Sequence, residues 1–385
     1  MSAYDLDDER AIRTGRLVED WTKSGLLTQE QRDTLMPQLV VHLRRTNKFL
    51  RITLFVFGGV ILQSVLGLLA ILAGGLRDQT TAGVLCLFVG AGCFWLASYL
   101  VSRYHLYRFG VEEAAALSSA GLVAVGAALL ITGAGDWPLI VGLATAVAMI
   151  IALYLHFGYV YAAVFALVVA AALPFQIGSS EALPRVAAVV VLACAATAAR
   201  VARAEHGDEY PGDGLMVIEA AAWLGIYVLL NLVLSSGFSR VDRGSTFHWI
   251  TYAAIWVLPA IVLWLAIRGR ERPLLWSGLA MALATLLSNK EYLGSARYEW
   301  DPLVFGLLLM AIAVGVRRWL ASGEDGMRHG YTASRLVASD LDLTSHLAIV
   351  SAAHVDVPVT ASAPAPDPSV GGGGRSGGGG AGGAF

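Results

Sequence analysis

The chain has 385 residues, of which 56% are hydrophobic and only 15% are charged, and its mean hydropathy is +0.64. Soluble domains carry about 45–50% apolar and about 25% charged residues, so this composition excludes an ordinary soluble protein. A formal net charge of −2 and a pI near 6.4 give no electrostatic basis for binding nucleic acid.

The polar segment 1–49 precedes the first apolar stretch. Gly25 is placed to end a first helix in the left-handed conformation, and Thr28 and Gln31 have the capping-box spacing that opens a second helix. Pro37 should kink or split that second helix. The sequence therefore predicts a short cytoplasmic helical hairpin over residues 1–49.

Apolar side chains indicate how this hairpin closes. Leu17 and Trp21 share one face of the first helix, and Leu27, Leu35 and Leu39 supply an opposing apolar surface. The alternative is a DNA-binding helix-turn-helix, but this segment has eight acidic and eight basic residues and no basic stripe along its second helix. A docking module that rests on the membrane face or on a protein partner is therefore the favoured interpretation.

The order of residues in the hairpin resembles a known family. The residues that carry the resemblance are Leu17, Trp21, Gly25, Leu27, Gln31 and Leu35, followed by a basic patch and many apolar stretches. This pattern is similar to the N-terminal signature of the DUF2157 family of predicted bacterial multipass membrane proteins. The resemblance implies a multipass protein of the bacterial cytoplasmic (inner) membrane with a short cytoplasmic helical pair, and it brings no established activity.

Residues 50–320 are predicted to form a transmembrane helical bundle. Crossing a hydrocarbon core of about 30 Å takes roughly 20 apolar residues in a helix, and this criterion gives about ten spans, with nine or eleven as alternatives. The stretches are 52–76, 79–102, 114–135, two within 137–180 that divide near 155–160, 186–199, 214–239, 244–267, 273–289 and 302–316. Arg185, Arg200 and Arg203 flank the short stretch 186–199 and are expected to reach the headgroups.

Lysine and arginine near the span ends predict the orientation. With the N-terminus inside, the inner flanks hold thirteen of these residues and the outer flanks hold six. The positive-inside rule therefore places both termini in the cytoplasm.

Few polar side chains lie within the predicted spans. Glu219 is the clearest candidate for a functional intramembrane group, since burying an ionisable residue is costly; pairing with Arg200 or Arg203 is the structural alternative. Asn231 and Gln63 are the notable amides, and both are expected to hydrogen-bond between helices. Glu112 and Glu113 begin the third span, where carboxylates are favoured by the helix dipole.

No motif in the sequence predicts catalysis, a metal or a cofactor. There is no Walker A, HExxH or helix-opening GxGxxG pattern, and no histidine or cysteine pair has metal-ligand spacing. The match of "GRSGG" at 374–378 to G-x-S-x-G lies in a glycine tail without a preceding strand. The sequence therefore predicts a protein that is not an enzyme.

The predicted cytoplasmic tail covers residues 321–385. After a polar stretch it becomes a Pro/Ala segment, and ten of its last fifteen residues are glycine, so we expect a flexible tail. The expected partners are the lipid bilayer and a protein that binds the hairpin or this tail, while the sequence leaves the oligomeric state open.

Three classes of function remain. The first is a non-enzymatic sensing, scaffolding or envelope-assembly role through the cytoplasmic ends, which are the distinctive parts of the sequence. The second is a transporter or channel for a small solute or ion, and the third is a membrane-embedded enzyme.

Overall fold

The structure, a computed structural model, describes residues 3–41, 43–72, 78–131, 135–177, 182–206, 214–235, 244–294, 300–323, 327–328 and 331–332. Apart from one antiparallel pair of two-residue strands, β1 (Met327–Arg328) and β2 (Tyr331–Thr332), the regular structure of these residues is helical. The all-helical prediction is confirmed. The part of the predicted tail that follows residue 332 lies outside the described residues.

The N-terminal hairpin begins with α1 (Leu6–Lys23) and continues with α2 (Gln29–Leu35). Gly25 follows α1 with φ of +80°, the left-handed conformation that glycine adopts without strain. The capping box is present, because the Thr28 N–H donates to Gln31 Oε1 over 2.9 Å and the Gln31 N–H donates to Thr28 Oγ1 over 3.2 Å. Pro37 lies in a 3₁₀ turn, Met36–Leu39, that ends α2, so the capping box and the split at Pro37 are both confirmed.

Ten further helices follow among the described residues. They are α3 (Lys48–Leu72), α4 (Gln79–Tyr104), α5 (Val111–Leu130), α6 (Trp137–Phe157), α7 (Val160–Ala172), α8 (Ala182–His206), α9 (Gly214–Leu230), α10 (Thr246–Gly269), α11 (Arg272–Tyr292) and α12 (Asp301–Ala321). The predicted break at 155–160 is confirmed, since Gly158 ends α6 with φ of +70°.

Six of the described helices are long and apolar enough to cross a membrane: α3, α4, α5, α6, α8 and α10. Two others, α9 and the segment Val160–Gln176 that contains α7, are apolar but shorter. The chain is therefore a membrane-embedded helical protein.

Most of the described helices contribute to one of three buried clusters within the described part of the chain. The first joins α4, α5, α6 and α7 through residues such as Ala97, Ala116 and Leu153. A second joins α9, α10 and α11, and a third connects α6 and α7 to α8 and α9. Small residues permit close approach, since a Cβ built on Gly126 of α5 would lie 2.9 Å from the carbonyl oxygen of Gly83 in α4.

Candidate functional site at the hairpin end of the bundle

The hairpin contacts one end of the helix bundle, which we call the hairpin end. Ile12 of α1 belongs to the same buried cluster as α4–α7. The chain that follows the hairpin is also tied there, because the Arg44 N–H donates to His105 O over 2.8 Å and the Tyr107 N–H donates to Arg44 O over 3.0 Å. The hairpin end therefore includes the α4–α5 loop.

Tyr4 is one of the buried hairpin residues in this contact, with 6% of its surface exposed. Its ring packs edge-on against Tyr107, with ring centroids 5.1 Å apart. The preceding Ala3 N–H donates to the carbonyl oxygen of His156, at the end of α6, over 3.1 Å. Residues 3 and 4 thus bind between the α4–α5 loop and the α6–α7 turn.

Several buried polar atoms surround Tyr4. Glu112 Oε1 accepts from the Phe109 N–H over 2.5 Å, and Glu112 is fully buried. Among the described residues no hydrogen-bond partner is found for Glu112 Oε2 or Glu9 Oε1, and the hydroxyls of Tyr4 and Tyr159 lie close to each other. This contact is therefore polar, and some of its hydrogen-bonding capacity is unused. Unpaired buried polar atoms carry a desolvation penalty, which weakens the contact.

Two phenols of the contact remain protonated across the physiological range. Burial is the main cause that raises the pKa of Tyr107 to about 12, with Arg108 opposing this and Glu9 adding to it. Burial also raises the pKa of Tyr4, an effect that Tyr159 opposes and the Glu112 carboxylate reinforces. Both hydroxyls can therefore act as hydrogen-bond donors.

An ion pair holds α3 against the start of α5. The Arg51 Nε donates to Glu113 Oε2 over 2.8 Å, and Arg51 Nη2 contacts the second carboxylate oxygen. Such a bidentate ion pair fixes the orientation of the guanidinium relative to the carboxylate. Glu112 and Glu113 thus lie in a first helical turn as expected, but each has its own tertiary contact.

Glu219 is buried at the same end of the bundle, in a group of four charges. Arg200 Nε lies 3.2 Å from Glu219 Oε1, and Arg203 Nη1 lies 3.4 Å from Glu219 Oε2. Arg203 Nη2 also donates to Glu271 Oε1 over 2.7 Å. The arginine pairing expected as the structural alternative is present, and Glu271, in the α10–α11 turn, joins it.

Asn231 follows α9 and is completely buried. Its Nδ2 donates to the Tyr227 hydroxyl over 3.0 Å and to Ser288 Oγ of α11 over 2.9 Å. Its Oδ1 accepts the N–H groups of Val233 and Leu234. Asn231 therefore joins the end of α9 to α11.

Gln63 differs from Asn231, because it lies on an exposed face of α3. The three intramembrane candidates Glu219, Asn231 and Gln63 are thus not brought together. Each belongs to a different part of the fold, and these residues do not form a common site.

The position of Arg185 differs from the prediction that it reaches the headgroups. It does not reach outward to the headgroups, since it is 1% exposed. Its Nη1 donates to Leu229 O over 2.9 Å and to Ser235 Oγ over 2.6 Å. Carbonyl groups at the end of α9 carry partial negative charge, which favours a cation there.

The apolar faces of the hairpin also differ from the prediction. Leu17 and Trp21 are 45% and 38% exposed, and Leu35 is exposed as well; Leu27 is half-buried and Gln31 is exposed. The residues of α1 that are described as buried are instead Glu9, Ile12 and Val18. The bundle therefore covers a face of α1 other than the one that carries Leu17 and Trp21.

Sequence reasoning missed Tyr4, Tyr107, Tyr159, Glu9 and Glu271. These residues are far apart in the chain, and no spacing pattern marks them as neighbours. Comparisons with family models, with curated proteins and with solved structures found no match for this chain.

Proposed function

We propose that this membrane protein has a non-enzymatic sensing, scaffolding or envelope-assembly role, carried out through its cytoplasmic ends. The proposal includes ten spans in the bacterial inner membrane, both termini in the cytoplasm, and the DUF2157 resemblance. The observation that carries it is the hairpin, which attaches to the bundle by one face and leaves another face exposed.

The exposed face has the character of a protein contact surface. Leu17 and Trp21 of α1 are exposed, as are Leu35 of α2 and Leu26 in the connecting turn. Aromatic and aliphatic side chains of this kind are enriched at the centres of protein interfaces. A partner protein that binds these residues would be held next to the membrane bundle.

Site-specific photo-crosslinking in the native host tests this proposal. With p-benzoylphenylalanine at Leu17 or Trp21, we expect a discrete crosslinked species that contains a second protein. The same group at Ile12 is the matched control, because Ile12 is buried against the bundle and should crosslink only within the chain.

Two results would contradict the proposal. One is crosslinking from Leu17 and Trp21 to lipid alone. The other is a Glu219→Gln variant that abolishes complementation of a deletion strain while a Leu17→Ser, Trp21→Ser variant complements fully, since this outcome would favour the transport alternative.

A further inference from the structure

The segment that contains Ala3 and Tyr4 binds the bundle as a short peptide binds a receptor. A main-chain hydrogen bond from Ala3 to His156 O fixes its position, and the Tyr4 ring fills the space beside Tyr107. The Tyr4 hydroxyl lies near Tyr159 and Glu112. Asp5 then caps α1 by accepting the Asp7 N–H, so the helix begins directly after this contact.

The receptor side is built from elements that are held independently of Tyr4. Tyr159 stacks on Phe157 at 5.2 Å and on Tyr161 at 5.5 Å. Tyr107 is fixed through its N–H to Arg44 O, and Glu112 is fixed by the Phe109 N–H. The pocket therefore has supports of its own, and removal of Tyr4 would leave them in place.

We propose that the pocket formed by Tyr107, Glu112 and Tyr159 is a tyrosine-recognition site that the chain's own Ala3–Tyr4 segment occupies. This segment acts as a releasable strap that holds the hairpin to the bundle. The ligand class is a peptide in which a small residue precedes tyrosine. The inference deepens the proposed function and rests on it only in treating the hairpin as a contact module.

The unpaired polar atoms of the contact favour release. Glu112 Oε2 and Glu9 Oε1 are buried without a hydrogen-bond partner among the described residues, and there the hydroxyls of Tyr4 and Tyr159 have only each other as hydrogen-bonding neighbours. Undocking returns these atoms to water and removes their desolvation penalty. The apolar surface of Tyr4 and Ile12 opposes release, because undocking exposes it. The contact is thus weaker than one of equal area with satisfied polar groups.

Peptide binding to the full-length protein in detergent is the first test. The probe is a fluorescently labelled peptide with the sequence of residues 1–10, followed by anisotropy. We expect it to bind a Tyr4→Ser protein at least about tenfold more tightly than the wild type, where the tethered segment competes at an effective concentration near millimolar. A peptide carrying Tyr4→Ser is the control and should bind neither protein.

A disulfide trap gives a second measurement, made on a protein that keeps Tyr4 in the pocket. In a background without Cys86, Cys93 and Cys194, an Ala3→Cys, His156→Cys protein should form an internal disulfide. The wild-type peptide should slow its formation, and the Tyr4→Ser peptide should not.

The outcomes separate this inference from the proposed function. No disulfide would show that the strap is not docked. The contact would be a permanent part of the core if the peptide does not change the rate of disulfide formation and also does not bind the Tyr4→Ser protein. Either result overturns the inference, whereas photo-crosslinking at Leu17 and Trp21 reports on the partner surface alone.

Discussion

One buried carboxylate and one buried amide show how much the surroundings of a polar residue decide its role. Glu219 has two arginine neighbours, and Asn231 has hydroxyl and main-chain partners on two helices. Removing one member of such a buried pair is destabilising, because the other member is then buried without its partner. Gln63 belongs to the same residue class as Asn231, but it is exposed.

The contrast between Asn231 and Gln63 gives a prediction at the residue scale. Asn231→Ala removes hydrogen bonds to Tyr227 and Ser288, both of them buried, so we expect a loss of about 1–3 kcal/mol in the free energy of unfolding. Gln63→Ala is the matched control at an exposed position and should change it by less than about 0.5 kcal/mol. Thermal unfolding in detergent measures both, and equal destabilisation would contradict the network.

Individual elements are positioned by a few close contacts. Gly110 precedes α5 with φ of +114°, and a Cβ at this position would clash with the carbonyl oxygen of Arg51. Any other residue would be strained and would also push α3 away from α5. The Arg51–Glu113 ion pair joins the same two helices, so this contact sets where α3 attaches.

We therefore predict that Gly110→Ala loosens α3. Backbone strain of this kind costs about 1–3 kcal/mol, and the clash adds to it, so the unfolding temperature should fall clearly. Gly59→Ala is the control, because nothing lies within 4 Å of a Cβ there and alanine favours a helix by up to about 1 kcal/mol over glycine. If both variants unfold at the wild-type temperature, α3 is attached in another way.

The whole molecule combines a membrane bundle with a hairpin at one end. The α4–α5 loop, the α6–α7 turn and the start of α9 meet at this end, since Gly214 of α9 lies next to Val160 of α7. Charged groups collect there, including Arg51 with Glu113 and Arg203 with Glu219 and Glu271. This concentration is consistent with the arginine-rich inner flanks that the sequence predicts.

The proposed topology predicts which positions a membrane-impermeant maleimide can label. In a cysteine-free background, Asp136→Cys in the α5–α6 connection should react in intact spheroplasts, because that connection is proposed to lie outside. Lys23→Cys in the hairpin and Ser322→Cys after α12 should react only after permeabilisation. Labelling of Ser322→Cys in intact spheroplasts would contradict the ten-span arrangement, and labelling of Lys23→Cys would contradict the orientation.

Much of the local structure followed from short-range chemistry. The helix breaks at Gly25, Pro37 and Gly158 and the capping box at Thr28 depend on residues within one or two turns, so sequence reasoning could locate them. The membrane character followed from composition and from the length of the apolar stretches. Sequence reasoning could not identify the buried face of α1. Both Leu17 and Ile12 suit an apolar contact, and only the shape of the bundle selects one of them.

The sequence by itself determined that this is an all-helical, membrane-embedded protein with a polar N-terminal hairpin. Only the tertiary structure decided which polar residues meet: Tyr4 with Tyr107, Arg51 with Glu113, and Arg203 with Glu219 and Glu271. The physical reason is the range of the interactions. Hydropathy and capping act between neighbours in the chain, whereas these contacts join residues from separate helices and loops, and helix packing alone sets their distances.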